Sequence, residues 1–260
     1  MVGRVLESGS QVDPSWDGQL VFSFHPHETV FDASPGELMR VPPGLPAESA
    51  VFLPNMETAV NFLMDGAPLL GERVAVFGQG VVGLLTTSLL ARFPLETLVT
   101  FDRYALRRQA ALDSGADHSL DPLALGTGRP LTELLPDGAD LTYELSGSPE
   151  ALDQAISATG FAGRVVVGSW YGQKRASLDL GGYFHRSRIR LISSQVSSLA
   201  PNLSGRWNKE RRFSVAWKLL RIVQPARYIT HRFHITQAPQ AYRLLDEQPE
   251  ETLQVVFGYA

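Results

Sequence analysis

Cysteine is absent from the 260 residues. That excludes disulfides, thiolate metal sites and a cysteine nucleophile. Long apolar runs are missing too: no stretch approaches the ~18 residues that a membrane-spanning helix needs. Residues 1–5 lack the charged-then-apolar order of a signal peptide. We therefore expect a cytoplasmic protein with no membrane partner. Net positive charge is also lacking. The formal charge is −4, which gives no global pull towards nucleic acid or anionic lipid. There is no internal repeat and no low-complexity tract. What is present is ordinary globular composition, 44% hydrophobic and 19% charged, in a chain long enough to bury a sizeable core without staples.

The first 55 or so residues are rich in proline, glycine and short β-like runs. Residues 2–7, 20–24 and 29–31 read as strands, with turns at Asp17-Gly18 and Ser34-Pro35-Gly36. The texture then changes. Residues 55–65 carry apolar side chains at helical spacing, at Met56, Val60, Leu63 and Met64. Strands are expected at 73–77, 97–101, 141–144, 164–167 and 189–193, and helices at 81–92, 105–114 and 149–158. Alternating strands and helices imply an α/β fold, a doubly wound parallel sheet covered on both faces. In the tail, 213–223 and 239–246 read as helices and 231–235 and 253–259 as strands. This piece is expected to pack with the N-terminal β region.

The stretch VAVFGQGVVGLL holds Gly78, Gly80 and Gly83 as a G-x-G-x-x-G, after an apolar strand and before an apolar helix. That context makes it a Rossmann fingerprint for a dinucleotide. Gly78 permits the tight turn, Gly80 leaves room for a pyrophosphate, and Gly83 lets helix and sheet approach. Gln79, Val81 and Val82 complete the turn, whose free N–H groups face the phosphates. Asp102 lies 19 residues after Gly83, at the end of LVTFD. There its carboxylate accepts from ribose hydroxyls and repels a 2′-phosphate, which favours NAD over NADP. Arg103 is placed to hold a 2′-phosphate if it swings inward. Ser146, Gly168, Ser169 and Ser194 follow later strands. They either border the ribose and nicotinamide or are plain loop residues.

These motifs resemble the medium-chain dehydrogenase/reductase superfamily, which includes zinc-type alcohol dehydrogenases. GERVAVFGQGVVGLL resembles its coenzyme signature, and RRQAALDSGADHSLDP resembles the sequence after its second strand. LTYELSGSPEALDQAISATGFAGRVVVGSW resembles its fourth-to-fifth strand unit, and ITHRFHITQAPQAYRLL resembles its C-terminal return. The resemblance implies three parts: a partial GroES-like catalytic domain at 1–55, a Rossmann NAD(P)-binding domain at 56–197, and a return to the catalytic domain at 198–260. The start, VGRVLESG, resembles the strand after the family's Gly-His-Glu, so the first half of the GroES-like domain is expected to be absent. Pro54 stands where the family has its third zinc ligand, and the four-cysteine lobe is missing. The resemblance thus implies no catalytic and no structural zinc. Thr58 aligns with a threonine beside the nicotinamide. The last Rossmann strand, 188–193, is expected to pair across a two-fold axis in a homodimer.

Hydride transfer uses the cofactor, and the protein must move a proton. His25 and His27 are candidate acid/base groups because imidazole titrates near neutrality. With Glu28 they are also a candidate metal set, and the remaining reading is a solvated or structural role. Glu57 is either a proton acceptor or a helix first-turn acid stabilised by the dipole. Trp170 and Tyr171 either stack on a ligand or pack. His231 reads as structural, and Lys209-Glu210-Arg211-Arg212 as a solvated helix start. The expected activity is zinc-independent alcohol–carbonyl interconversion on a small molecule. The alternatives are a quinone-reductase-like NADPH enzyme and a non-catalytic or truncated nucleotide-binding protein.

Overall fold

The computed structural model describes residues 1–125 and 133–259. At the N-terminus three short strands form an antiparallel sheet in the order β1 (Val2–Arg4), β2 (Leu20–Phe22), β3 (Met39–Arg40). Residues 29–31 are not a strand. Val30 is exposed and the Phe31 ring stacks on His25 at 3.9 Å, so the segment is held by a ring contact instead of a ladder. Residues 39–40 pair with β2 instead, where Met39 reaches the core.

Two helices follow, α1 (Ala47–Ala50) and α2 (Leu53–Gly66). Pro54 sits in the first turn of α2, where its missing N–H costs nothing. The helix ends on Ala67 in the left-handed region (φ 44°), whose N–H bonds back to the Leu63 carbonyl. Arg164 donates to the carbonyls of Gly66 and Ala67, satisfying two groups that a helix end leaves open.

The sheet that follows uses β4 (Arg73–Phe77), β5 (Thr97–Phe101), β6 (His118–Leu120), β7 (Ala139–Glu144), β8 (Thr159–Val167) and β9 (Arg190–Ser193). It is parallel throughout, in the order β6-β5-β4-β7-β8-β9. The connecting helices are α3 (Val81–Leu90), α4 (Ala105–Asp113) and α5 (Pro149–Ala158). Along β4, Val74 and Val76 join one apolar cluster, and Ala75 and Phe77 join the other. The strand is therefore covered on both faces, as a period of two requires. The strand order reverses between β4 and β7, and crevices at the carboxyl ends of such a switch point are where ligands bind. β6 was not anticipated, because HSL offers no alternation of its own. It pairs with β5, and the Leu120 carbonyl accepts from the Asp102 N–H.

Beyond the sheet come α6 (Lys209–Val223), β10 (Ile229–His234), α7 (Ala238–Glu247) and β11 (Gln254–Gly258). β10 and β11 pair in parallel. This segment touches the N-terminal one. Trp217 meets Phe22 edge to face at 6.5 Å, and Arg232 holds Glu48 through two hydrogen bonds of 2.6 and 2.9 Å. Among the described residues no helix is long and apolar enough to cross a membrane.

Candidate functional site

The glycine turn joins β4 to α3, and each glycine answers a different steric demand. Gly78 has φ 91°, and a Cβ there would lie 2.6 Å from the Ser146 backbone. A Cβ on Gly83 would lie 2.0 Å from the Gly78 carbonyl oxygen. Gly80 is the N-cap of α3, and a Cβ there would meet nothing within 4 Å. Two of the glycines are thus demanded by the protein's own packing. The third faces open space, in front of a helix N-terminus that no side chain caps. Free N–H groups and the helix dipole make that position suited to an anion.

Asp102 follows β5 and is 7% exposed. Its Oδ2 accepts the Gln79 N–H at 2.8 Å and its Oδ1 accepts the Tyr104 N–H at 2.9 Å. The carboxylate therefore braces the turn, with lone pairs left for further donors. Gln79 is buried with its side chain turned inward: Nε2 donates to the Gly78 carbonyl at 3.1 Å, and Oε1 accepts from Thr87 at 2.9 Å. Its side chain is committed to the turn, and its N–H to Asp102. Val81 and Val82 pack their side chains against the core.

A cavity of about 700 Å³ lies across this turn. It brings together Gly78, Gly80, Asp102, Arg103 and Ser146 of the residues expected at a cofactor site. Its size and its position at the switch point suit a dinucleotide's adenosine half. Arg107 also lines it, 4.0 Å from Asp102, with a buried Nε that has no partner among the described residues. Arg103 and Arg107 both lie 4.9 Å from the Tyr104 ring centroid.

The remaining expected residues stand outside that cavity's lining. A Cβ on Gly168 would lie 2.4 Å from Phe62 and 2.6 Å from Leu145, so this glycine serves close packing. Ser169 Oγ accepts the Gly147 N–H at 2.8 Å. Ser194 Oγ donates to Asp65 at 2.5 Å, and burial raises the Asp65 carboxyl above its usual range despite that bond. Thr58 Oγ1 donates back to the Pro54 carbonyl at 2.9 Å.

Glu57 is buried, and its Oε1 accepts from Arg212 Nη2 at 2.8 Å and Nε at 3.1 Å. The expectation of a solvated start to α6 fails at Arg212, which is 1% exposed. Its guanidinium is enclosed by Glu57, by Asn61 at 2.6 Å and by the Ser198 and Val196 carbonyls. The physical reason is that these acceptors use the fork of donors fully, which is what permits an arginine to be buried. A carboxylate so engaged is an anchor between α2 and α6.

His25 and His27 diverge. His25 Nδ1 lies 3.2 Å from the Pro26 carbonyl and 3.9 Å from Glu28. His27 Nδ1 lies 2.5 Å from the Tyr259 hydroxyl. Trp170 is 92% exposed after β8. A further group went unnoticed in the sequence: Glu144, at the end of β7, is fully buried and accepts from the Ser146 N–H at 2.7 Å, from the Ser146 hydroxyl and from the Tyr171 hydroxyl. Burial, then the bond to Glu144, raises the Tyr171 hydroxyl far above the usual phenol range. The sequence signal was an acid at a strand's carboxyl end, next to the loop against which Gly78 packs.

Comparison with known proteins adds to this geometry. Residues 81–213 match the family model described as zinc-binding dehydrogenase. The chain is 25% identical over 262 residues to D-guloside 3-dehydrogenase of Escherichia coli K12, covering 98% of this chain and 75% of that protein. Among solved structures it is similar to a short-chain alcohol dehydrogenase of E. coli CFT073 complexed with NADH, with a TM-score of 0.76, 18% identity, and 99% and 82% of the two chains covered. It is also similar to a protein of Sinorhizobium meliloti 1021 solved with NADP, with a TM-score of 0.72, 19% identity, and 100% and 80% covered.

Proposed function

Because the chain belongs to the zinc-binding dehydrogenase family, we propose that it is a nicotinamide-dependent oxidoreductase that interconverts an alcohol and a carbonyl, with NAD as the preferred cofactor and without zinc. The observation that carries this reading is Gly80. Its missing side chain opens a helix N-terminus to a cavity whose wall holds the Asp102 carboxylate. A dinucleotide fits those donors and that space. Its pyrophosphate would be held by the N–H groups at the start of α3, and its adenosine ribose by Asp102. When bound, the nicotinamide supplies the hydride acceptor or donor.

Zinc does not fit the donors present. Cysteine is absent, and among the described residues no three His, Asp or Glu side chains stand where they could hold a metal ion. The proton is then assigned to an ordinary acid or base. Of the candidates, Glu57 is occupied by Arg212, so we assign the role to His25 or His27. His27 meets the Tyr259 hydroxyl, a contact suited to passing a proton between an imidazole and a phenol.

A second reading, an NADPH-using reductase of the quinone-reductase type, is supported by Arg103 and Arg107 beside Asp102. Titration of the full chain with NADH and NADPH, read by cofactor fluorescence and calorimetry, separates the two. Tighter binding of NADH supports the first reading. Absence of any signal at millimolar cofactor sinks both. A screen of alcohols read by NADH absorbance, begun with glycosides and polyols because of the D-guloside relative, addresses the substrate.

A further inference from the structure

A second cavity, of about 760 Å³, lies away from the glycine turn between β3 and α6. Its floor is apolar: Met39, Pro42, Phe213 and Trp217. Its rim is cationic: Arg40, Lys209, Lys218 and Arg221 stand against one carboxylate, Glu210. Among the described residues none of these five charges is in an ion pair. Arg40 lies 4.2 Å over the Trp16 ring and Lys209 Nζ 5.6 Å from the Phe213 ring. Arg221 donates to the Pro43 carbonyl at 2.5 Å. Lys218 is exposed. Four cations against one acid give the groove a local charge of about +3 in a chain whose net charge is −4.

The arrangement follows from α6. Lys209, Phe213 and Trp217 are spaced four residues apart, which places them on one stripe of the helix. Phe22 and Trp217 meet edge to face at 6.5 Å, and Phe24 lies 6.2 Å from Phe213, so the aromatic floor continues into the N-terminal sheet. A volume of this size is within the ~300–1,000 Å³ range of small-molecule pockets. The apolar floor gains by covering a hydrocarbon. Lys209, Lys218 and Arg221 attract negative charge, whereas the Arg40 charge already acts on Asp13.

We propose that this groove binds an amphiphilic carboxylate, with its apolar chain or ring on Phe213 and Trp217 and its carboxylate among the rim cations. The test is calorimetry of the full chain with decanoate, below its micelle concentration, against decanol and decyltrimethylammonium. Decanoate binds, decanol binds at least tenfold more weakly, and the cation does not bind. The double variant Lys209→Glu, Lys218→Glu changes two exposed side chains. It weakens decanoate at least tenfold and leaves NADH binding unchanged. The tryptophan fluorescence change on decanoate addition disappears in Trp217→Phe. Equal affinity for decanol, undiminished binding by the double variant, or no heat with decanoate overturns the proposal. So does sedimentation showing an assembly that the double variant dissolves, since a second copy would then cover the groove.

Discussion

Gly80 and Gly83 are three residues apart and predict opposite outcomes. Gly83→Ala drives a methyl into the Gly78 carbonyl, a contact of 2.0 Å with backbone that has nowhere to go. Overpacking of this kind costs about 1–3 kcal/mol, so thermal unfolding should show a clear fall in Tm. Gly80→Ala meets nothing. It should leave Tm within a degree or two and still lower cofactor affinity, because the methyl enters the space assigned to the pyrophosphate. A Gly80→Ala protein that binds NADH as well as the parent would remove the main support for the site. Asp102→Ala should weaken NAD and narrow the preference over NADP. Losing one charge-assisted hydrogen bond costs about 1.5–3 kcal/mol, or roughly 10- to 150-fold. Asp102→Asn keeps one of the two acceptors and sets an amide NH2 against the other backbone N–H, so it loosens the turn while it removes the charge.

At the scale of the element, two buried arginines hold α2 in place. Arg212 ties its start to α6, and Arg164 ties its end to β8. Arg212→Met would leave Glu57 buried without a partner. Breaking such a pair costs about 3–5 kcal/mol, and differential scanning calorimetry should register a loss of roughly 10 °C. Arg164 meets Glu72 through bonds of 2.7 and 2.8 Å. Burial pushes the Glu72 carboxyl up, but the hydrogen bonds from Arg164 and from the Leu69 N–H, with the Arg164 charge, together outweigh it, so the net shift is downward. A carboxyl lowered on folding contributes stability above its unfolded value, and that contribution is lost as pH falls through the folded one. Glu72→Gln should therefore destabilise at pH 7 and much less near pH 3, as measured by urea unfolding. An equal effect at both would refute the pairing. Neither arginine's role was legible in the sequence. Arg212 sits in a charged run, and its partners on α2 are about 150 residues away. Only the fold places them together. By contrast β4, β5 and α5 were read at their observed bounds, because apolar runs between turn residues carry local information. The N-terminal strands were read less well. Residues 29–31 have suitable β-formers, yet pairing partners, not propensity, decide a strand.

For the molecule as a whole, the cofactor half was the legible half. Its glycine spacing and the acid at the end of β5 are sequence-local, and the structure gathers Gly78, Gly80 and Asp102 around one cavity. Glu144 and Tyr171, from two different strand ends, were invisible as a pair for the same reason as Arg212. We propose a homodimer through β9, the outermost strand of the sheet, whose Leu191 is 38% exposed. An unpaired apolar edge is a template for pairing with a copy of itself. Sedimentation should show a dimer that Leu191→Lys converts to monomer. A strict monomer at micromolar concentration counts against it. One last consequence comes from the two backbone amides that Asp102 holds. The residue to which we assign the ribose is also the keystone of the glycine loop. Evolution or engineering that retunes cofactor choice there must loosen the loop in the same step, and a second substitution is needed to restore its order. Slow deuterium uptake at the Gln79 and Tyr104 amides would report that order directly, before any cofactor is added.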